Sequence, residues 1–189
     1  LLVVGCSGAP HVDPAPSTPQ VAAAVAPEPE PPPVAPAPPF TAEQLRAAMP
    51  RGATYGLLVT DVHDTETARV IEVIEADERG CTIRTQDRTT GGLPTPPTVT
   101  TWTWEQLRDE AAFPAGTLVT DAQTTVPAGT FRTRRYLIPR GDGPEGAPLT
   151  ERVFYDLAQP GVPVLRVTQE GDQVTSRAVL VRRQVPAAN

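Results

Sequence analysis

The sequence predicts a mainly β domain: a single curved antiparallel sheet of about nine strands with two short helices, set behind a disordered Pro/Ala-rich spacer. Three observations lead there. Residues 40–189 hold nine short segments rich in Val, Ile, Thr and aromatic side chains, with turn residues between them. No segment between them is long and periodic enough to act as the repeated crossover that parallel strands need, so the strands form a meander. Finally, 12 of the 24 prolines crowd between Pro10 and Pro39, in a stretch with no Phe, Tyr or Trp and no apolar period. Such a stretch cannot bury a core.

The first element of the domain is a helix. Thr41 can cap it, Gln44 can bond back as the partner of a capping box, and Phe40 can staple onto Leu45. It should stop at Met49, because Pro50 and Gly52 follow. Strands are predicted at 54–60, 68–75, 81–87 and 98–102. A second capping box, Thr103 with Gln106, then opens a helix that runs to about Ala112, ahead of Pro114 and Gly116. Five more strands follow at 118–125, 131–138, 151–156, 164–169 and 174–181. Hairpin turns fall at 77–80, 127–129 and 170–172, and longer polar loops at 91–92 and 141–146. One strand is unusual: 70–75, Val-Ile-Glu-Val-Ile-Glu, has apolar residues on both faces and should be covered on both sides. A sheet curled over a helix in this way can enclose an apolar cavity.

The spacer, residues 7–39, is held near polyproline II by its prolines and could reach roughly 100 Å at about 3.1 Å per residue. The charge of the whole chain is −6, from 22 acids and 16 bases, and every base is arginine. Neither half is basic enough to suggest nucleic acid. No apolar run within residues 40–189 approaches the roughly 20 residues of a membrane-spanning helix.

The beginning of the chain, Leu1-Leu2-Val3-Val4-Gly5-Cys6, is apolar, ends in small residues and stops at a cysteine, with Ser7-Gly8 and the spacer after it. It resembles the lipobox that closes a bacterial lipoprotein signal peptide, although Val3 stands where leucine is commonest. The resemblance implies that residues 1–6 are the remnant of a signal peptide and lipobox. It also implies that Cys6 carries a diacylglyceryl thioether and an acylated amino group, and that these anchor the protein in a membrane. Two or three acyl chains, at about 0.8 kcal/mol per buried methylene, give stable anchoring where one does not. A serine after the cysteine implies the outer membrane, facing the periplasm, rather than retention at the inner one.

A second resemblance lies in "VTDAQTTVPAGTFRTRRYLI" and "RVFYDLAQPGVPVLRVTQEGDQV". These stretches look like the strand pairs of periplasmic half-barrel domains, a group that includes envelope domains of unknown function and, more remotely, carriers of the lipoprotein-localisation type. The likeness implies a half-barrel and, through the carriers, a hydrophobic ligand. No family site residue transfers with it.

Candidates for chemistry are few. His63 lies in Asp61-Val62-His63-Asp64-Thr65-Glu66, which reads as a polar hairpin turn rather than a metal site. The serines are Ser7, Ser17 and Ser176, none in the glycine-rich turn that exposes a hydrolase nucleophile. Cys81 alternates with Ile83 and reads as a small buried hydrophobe. Trp102 and Trp104, which would share a face in an extended strand, either stack flat ligands or anchor the second helix. Arg132 and Arg134, beside Tyr136, either meet phosphates of lipid A or acidic glycans, or line a solvated strand face. Ile71 and Val73 are candidate cavity residues. With no poised acid-base pair, the expectation is no enzyme, no catalytic residue, no cofactor and no metal. Two classes remain. One is a non-catalytic, lipid-anchored envelope lipoprotein that binds a hydrophobic or glycan ligand or an envelope protein. The other is a purely structural or assembly component.

Overall fold

The computed structural model describes residues 33–186 except residue 90. The lipobox reading, Cys6 and most of the 7–39 spacer therefore lie outside the described residues. The elements are α1 (Ala42–Ala48), β1 (Thr54–Asp61), β2 (Glu66–Ala76), β3 (Gly80–Thr89), β4 (Thr98–Thr103), α2 (Trp104–Asp109), β5 (Leu118–Val126), β6 (Gly129–Asp142), β7 (Pro148–Asp156), β8 (Leu165–Glu170) and β9 (Gln173–Gln184). All nine strands belong to one open antiparallel sheet in the order β4-β3-β2-β1-β9-β8-β7-β6-β5. Two hairpin meanders, β1 to β4 and β5 to β9, are thus joined by the pairing of β1 with β9.

Both capping boxes form. The Thr41 hydroxyl accepts from the Gln44 amide at 3.2 Å while the Gln44 side chain accepts from the Thr41 amide at 2.9 Å. Thr103 and Gln106 repeat this at 3.1 and 2.9 Å. Each such cap contributes about 1 kcal/mol, which matters for helices this short. The second helix ends at Asp109 and continues only as hydrogen-bonded turns to Ala112. The 141–146 loop is likewise shorter than expected, because β6 runs on through a bulge between Pro139 and Asp142.

The segment from α2 to Thr117 carries the chain from one edge strand, β4, to the other, β5. Across a flat nine-stranded sheet that distance is about 38 Å at ~4.8 Å per strand. Wound into helix and turns, the segment reaches only about 30 Å. The sheet is therefore curled. The curl is visible where the β5–β6 turn meets β9 beyond the end of β8: the Ala128 amide donates to the Leu180 carbonyl at 3.3 Å. Short β8 leaves that half of β9 free for the contact.

The two-sided covering expected for β2 is not found. A bulge lies between Val73 and Glu75, with Ile74 as the extra residue. It reverses the alternation, so Ile71, Val73 and then Ala76 join the core while Val70 is 48% exposed on the outer face. The bulge accounts for Ile74, and Val70 is an exposed apolar residue of the outer face, so one covered face reads as two in the sequence.

Candidate functional site: an apolar groove beneath the two helices

The helices cover the inner face of the curled sheet incompletely, leaving a half-open groove of about 440 Å³. That is within the range of small-molecule sites. From α1 and its flanks come Phe40, Leu45 and Met49. Helix α2 and the turn after it contribute Leu107, Arg108 and Ala111 at helical spacing. The floor is Leu57, Ile71, Ile83 and Trp102 from the first meander and Tyr155, Arg166 and Ala178 from the second.

The 161–163 loop closes one side. Gly161 has φ +127°, a backbone suited to glycine, and an added Cβ would lie 3.4 Å from Met49 Sδ and from the Tyr55 hydroxyl. Behind the groove an aromatic cluster stiffens the second meander. Phe113 packs on Tyr136 at 4.4 Å and Phe40 meets Tyr155 edge to face at 5.5 Å. Burial pushes the Tyr155 phenol up to about 12, and it is neutral at any physiological pH.

Three arginines line this mainly apolar space beside Thr85, Thr100 and Glu110, and each arginine has a carboxylate partner. Arg69 forms a two-point pair with Asp87, 2.8 Å for each bond, which holds Asp87 below the usual carboxylate range. Arg108 pairs with Asp109 at 2.7 Å, and Arg166 with Glu151 at 2.7 Å.

Of the residues picked out from sequence, Ile71 and Trp102 line the groove. Val73 lies beneath it, fully buried. Trp104 does not share a face with Trp102, because the strand ends at Thr103 and Trp104 is the first residue of α2. Its indole Nε1 donates to the Asp77 carbonyl at 2.9 Å, and the ring is buried as an anchor for the helix. Arg134 pairs with Asp121 at 2.9 Å on β5, Arg132 is exposed, and neither lines the groove. Residues 61–66 form the β1–β2 turn, where the Asp61 carboxylate accepts from the His63 and Thr65 amides. Sequence reading missed Arg69, Arg108 and Arg166. Arginines at inward positions of a strand, or on the apolar side of a helix, were the available signal.

No family model matches the chain, and no curated protein sequence does. Solved structures of similar outline include a provisionally termed lipoprotein from Parabacteroides distasonis. It has 12% identity and a TM-score of 0.48, covering 72% of this chain and 96% of that one. Another is a provisionally termed exported protein with YmcC-like fold from Bacteroides fragilis, at 11% identity and a TM-score of 0.45, covering 71% and 96%. Likeness at this level is silent on ligand and activity. Among the described residues no helix is long and apolar enough to cross a membrane.

Proposed function

We propose that the protein is a non-catalytic envelope lipoprotein, anchored through acyl groups on Cys6 to the outer membrane, whose half-barrel binds the apolar part of a small hydrophobic ligand. The groove carries this reading: about 440 Å³, open on one side and floored by Ile71, Ile83, Leu57 and Trp102. A mainly apolar space of that size, whose arginines are already engaged by carboxylates, suits a hydrocarbon chain better than a sugar, which needs hydrogen-bonding partners free to serve it. The lipobox-like Val3-Val4-Gly5-Cys6 supports the anchor.

Two measurements test the proposal. Replacing Cys6 by Ala should abolish incorporation of a fatty-acid probe and release the protein from the membrane fraction; unlabelled wild-type protein overturns the anchor. A fluorescent fatty-acid analogue should bind the chain and alter tryptophan emission, since Trp102 lines the groove. Replacing Ile71 by Asp should remove binding while circular dichroism still reports the sheet. Failure of the wild-type protein to bind the analogue would leave the structural or assembly role in its place.

A further inference from the structure

The strand register grades the groove by polarity. Moving away from the β1–β2 turn, β2 presents Arg69, Ile71 and Val73, paired in turn with Asp87, Thr85 and Ile83 of β3. Exposure falls along the same line, from 40% for the Arg69 side chain to 0% for Val73. The second meander has the matching order. Arg166 pairs with Ala178, and Ala178 with Val59, two residues along β1 from the Leu57 that pairs with Arg69. Arg69 and Arg166 therefore stand one row apart on the same face, three strands from each other. That is about 16 Å on a flat sheet, three strand spacings across and two residues along, and less across a curl. Together they flank the polar end of the groove, while Trp102 and Ile83 lie toward its apolar end.

The charge at that end is not balanced. Glu151, which is buried, accepts from Arg140 Nε at 2.8 Å and pairs with Arg166 at 2.7 Å. Two guanidiniums on one carboxylate leave a positive charge in excess within this triad, and of the two only Arg166 lines the groove, whose lining also includes the carboxylate of Glu110, next to Asp109.

We infer that the groove binds a single-chain amphiphile with an anionic head, a carboxylate or a phosphate monoester, the head between Arg69 and Arg166 and the tail running toward Trp102. This rests on the reading of the groove as a hydrocarbon site and adds the class of ligand and its direction. Guanidinium groups offer planar forks of donors to either head. Arg108, the third guanidinium of the lining, is taken up by the adjacent Asp109 at 2.7 Å, and an ionised head buried among Ile83 and Trp102 without a partner would be costly.

The test measures binding of hexadecanol, palmitate and hexadecyl phosphate to the full chain. Wild-type protein should bind at least one of the two anions about five- to ten-fold more tightly than the alcohol, the increment of one partly solvated charge-assisted bond. The tighter anion identifies the head. Arg166→Gln should erase the preference for the anions over hexadecanol; it leaves Glu151 paired with Arg140, so the fold is kept. Arg140→Gln should reduce the preference less. Palmitate brominated near its methyl end should quench tryptophan emission more than palmitate brominated beside the carboxylate. Equal affinity for alcohol and anions, a preference that survives Arg166→Gln, a larger effect of Arg140→Gln, or the reverse order of quenching overturns the inference while the hydrocarbon site stands. No binding of any of the three overturns both.

Discussion

Arg183 carries its charge into the interior: its side chain is 11% exposed and that of its partner, Asp156, 7%, with 2.7 Å between them. The same guanidinium bonds Gln159 at 3.0 Å and lies 5.3 Å from the centre of the Phe131 ring. The net worth of such a pair is small, because desolvation offsets the attraction, but the cost of breaking it is not. Asp156→Ala should lower stability by about 3–5 kcal/mol by leaving the guanidinium uncompensated. Urea unfolding measures this, and a loss below ~1 kcal/mol would mean that water reaches Arg183. A second residue-scale prediction concerns alkaline pH. Burial raises the Cys81 thiol from 9.0 to about 11 and the Tyr155 phenol from 10.0 to about 12. Tyr55 and Tyr136 shift upward for the same first cause. The unfolded chain gives up these protons first, so their contribution to stability is complete below pH 9 and is lost as pH rises toward 12. Urea midpoints should hold steady from pH 7.5 to 8.5 as far as these groups are concerned and fall through pH 10 and 11, and a thiol reagent should modify Cys81 only on unfolding.

At the scale of elements, β3 and β4 approach so closely that Gly80 has no room for a side chain. A Cβ there would stand 2.0 Å from the Trp102 carbonyl oxygen, a backbone atom that cannot swing aside. Gly80→Ala should therefore displace the edge strand, cost about 2 kcal/mol or more, and change the emission of Trp102. Unchanged stability and fluorescence would show that β4 shifts freely. The strands were legible in the sequence because alternation and turn residues agree: the turn at 127–128 and the cap at Thr41 fall where the residue types place them. The bulge in β2 was not legible, since no glycine or proline stands at Ile74 to mark it, and Ile74 together with the exposed Val70 made the strand read as apolar on both faces. Trp104 was misplaced for a related reason. It follows a strand residue by two places, yet the capping box at Thr103 turns the chain between them.

Across the whole molecule, the groove exists because two separate meanders share one sheet. The β1–β9 pairing brings Ile71 and Trp102 opposite Arg166 and Ala178, residues from the two halves of the chain. Local patterns revealed each strand, but this long-range join has no local signature, and so nothing local places Arg166 beside Ile71 and Trp102, whereas Arg69, two residues from Ile71 on the same face of β2, carried a local signal. The same architecture implies how the groove is kept open. Its roof is the inner side of α2 and the turn beyond it, where Leu107 and Arg108 are followed by the small, half-buried Ala111. A larger residue at that position would project over the floor without disturbing a strand pair. Ala111→Trp should accordingly fill the groove, reduce binding of hexadecanol and palmitate alike by ten-fold or more, and leave the circular dichroism spectrum unchanged. Because the added ring removes apolar surface from water at about 25 cal/mol per Å², the thermal midpoint should hold or rise if the space is there to be filled. A fall in the midpoint with full retention of binding would mean that the ring clashes with the helix packing and that the hydrocarbon lies elsewhere on the sheet.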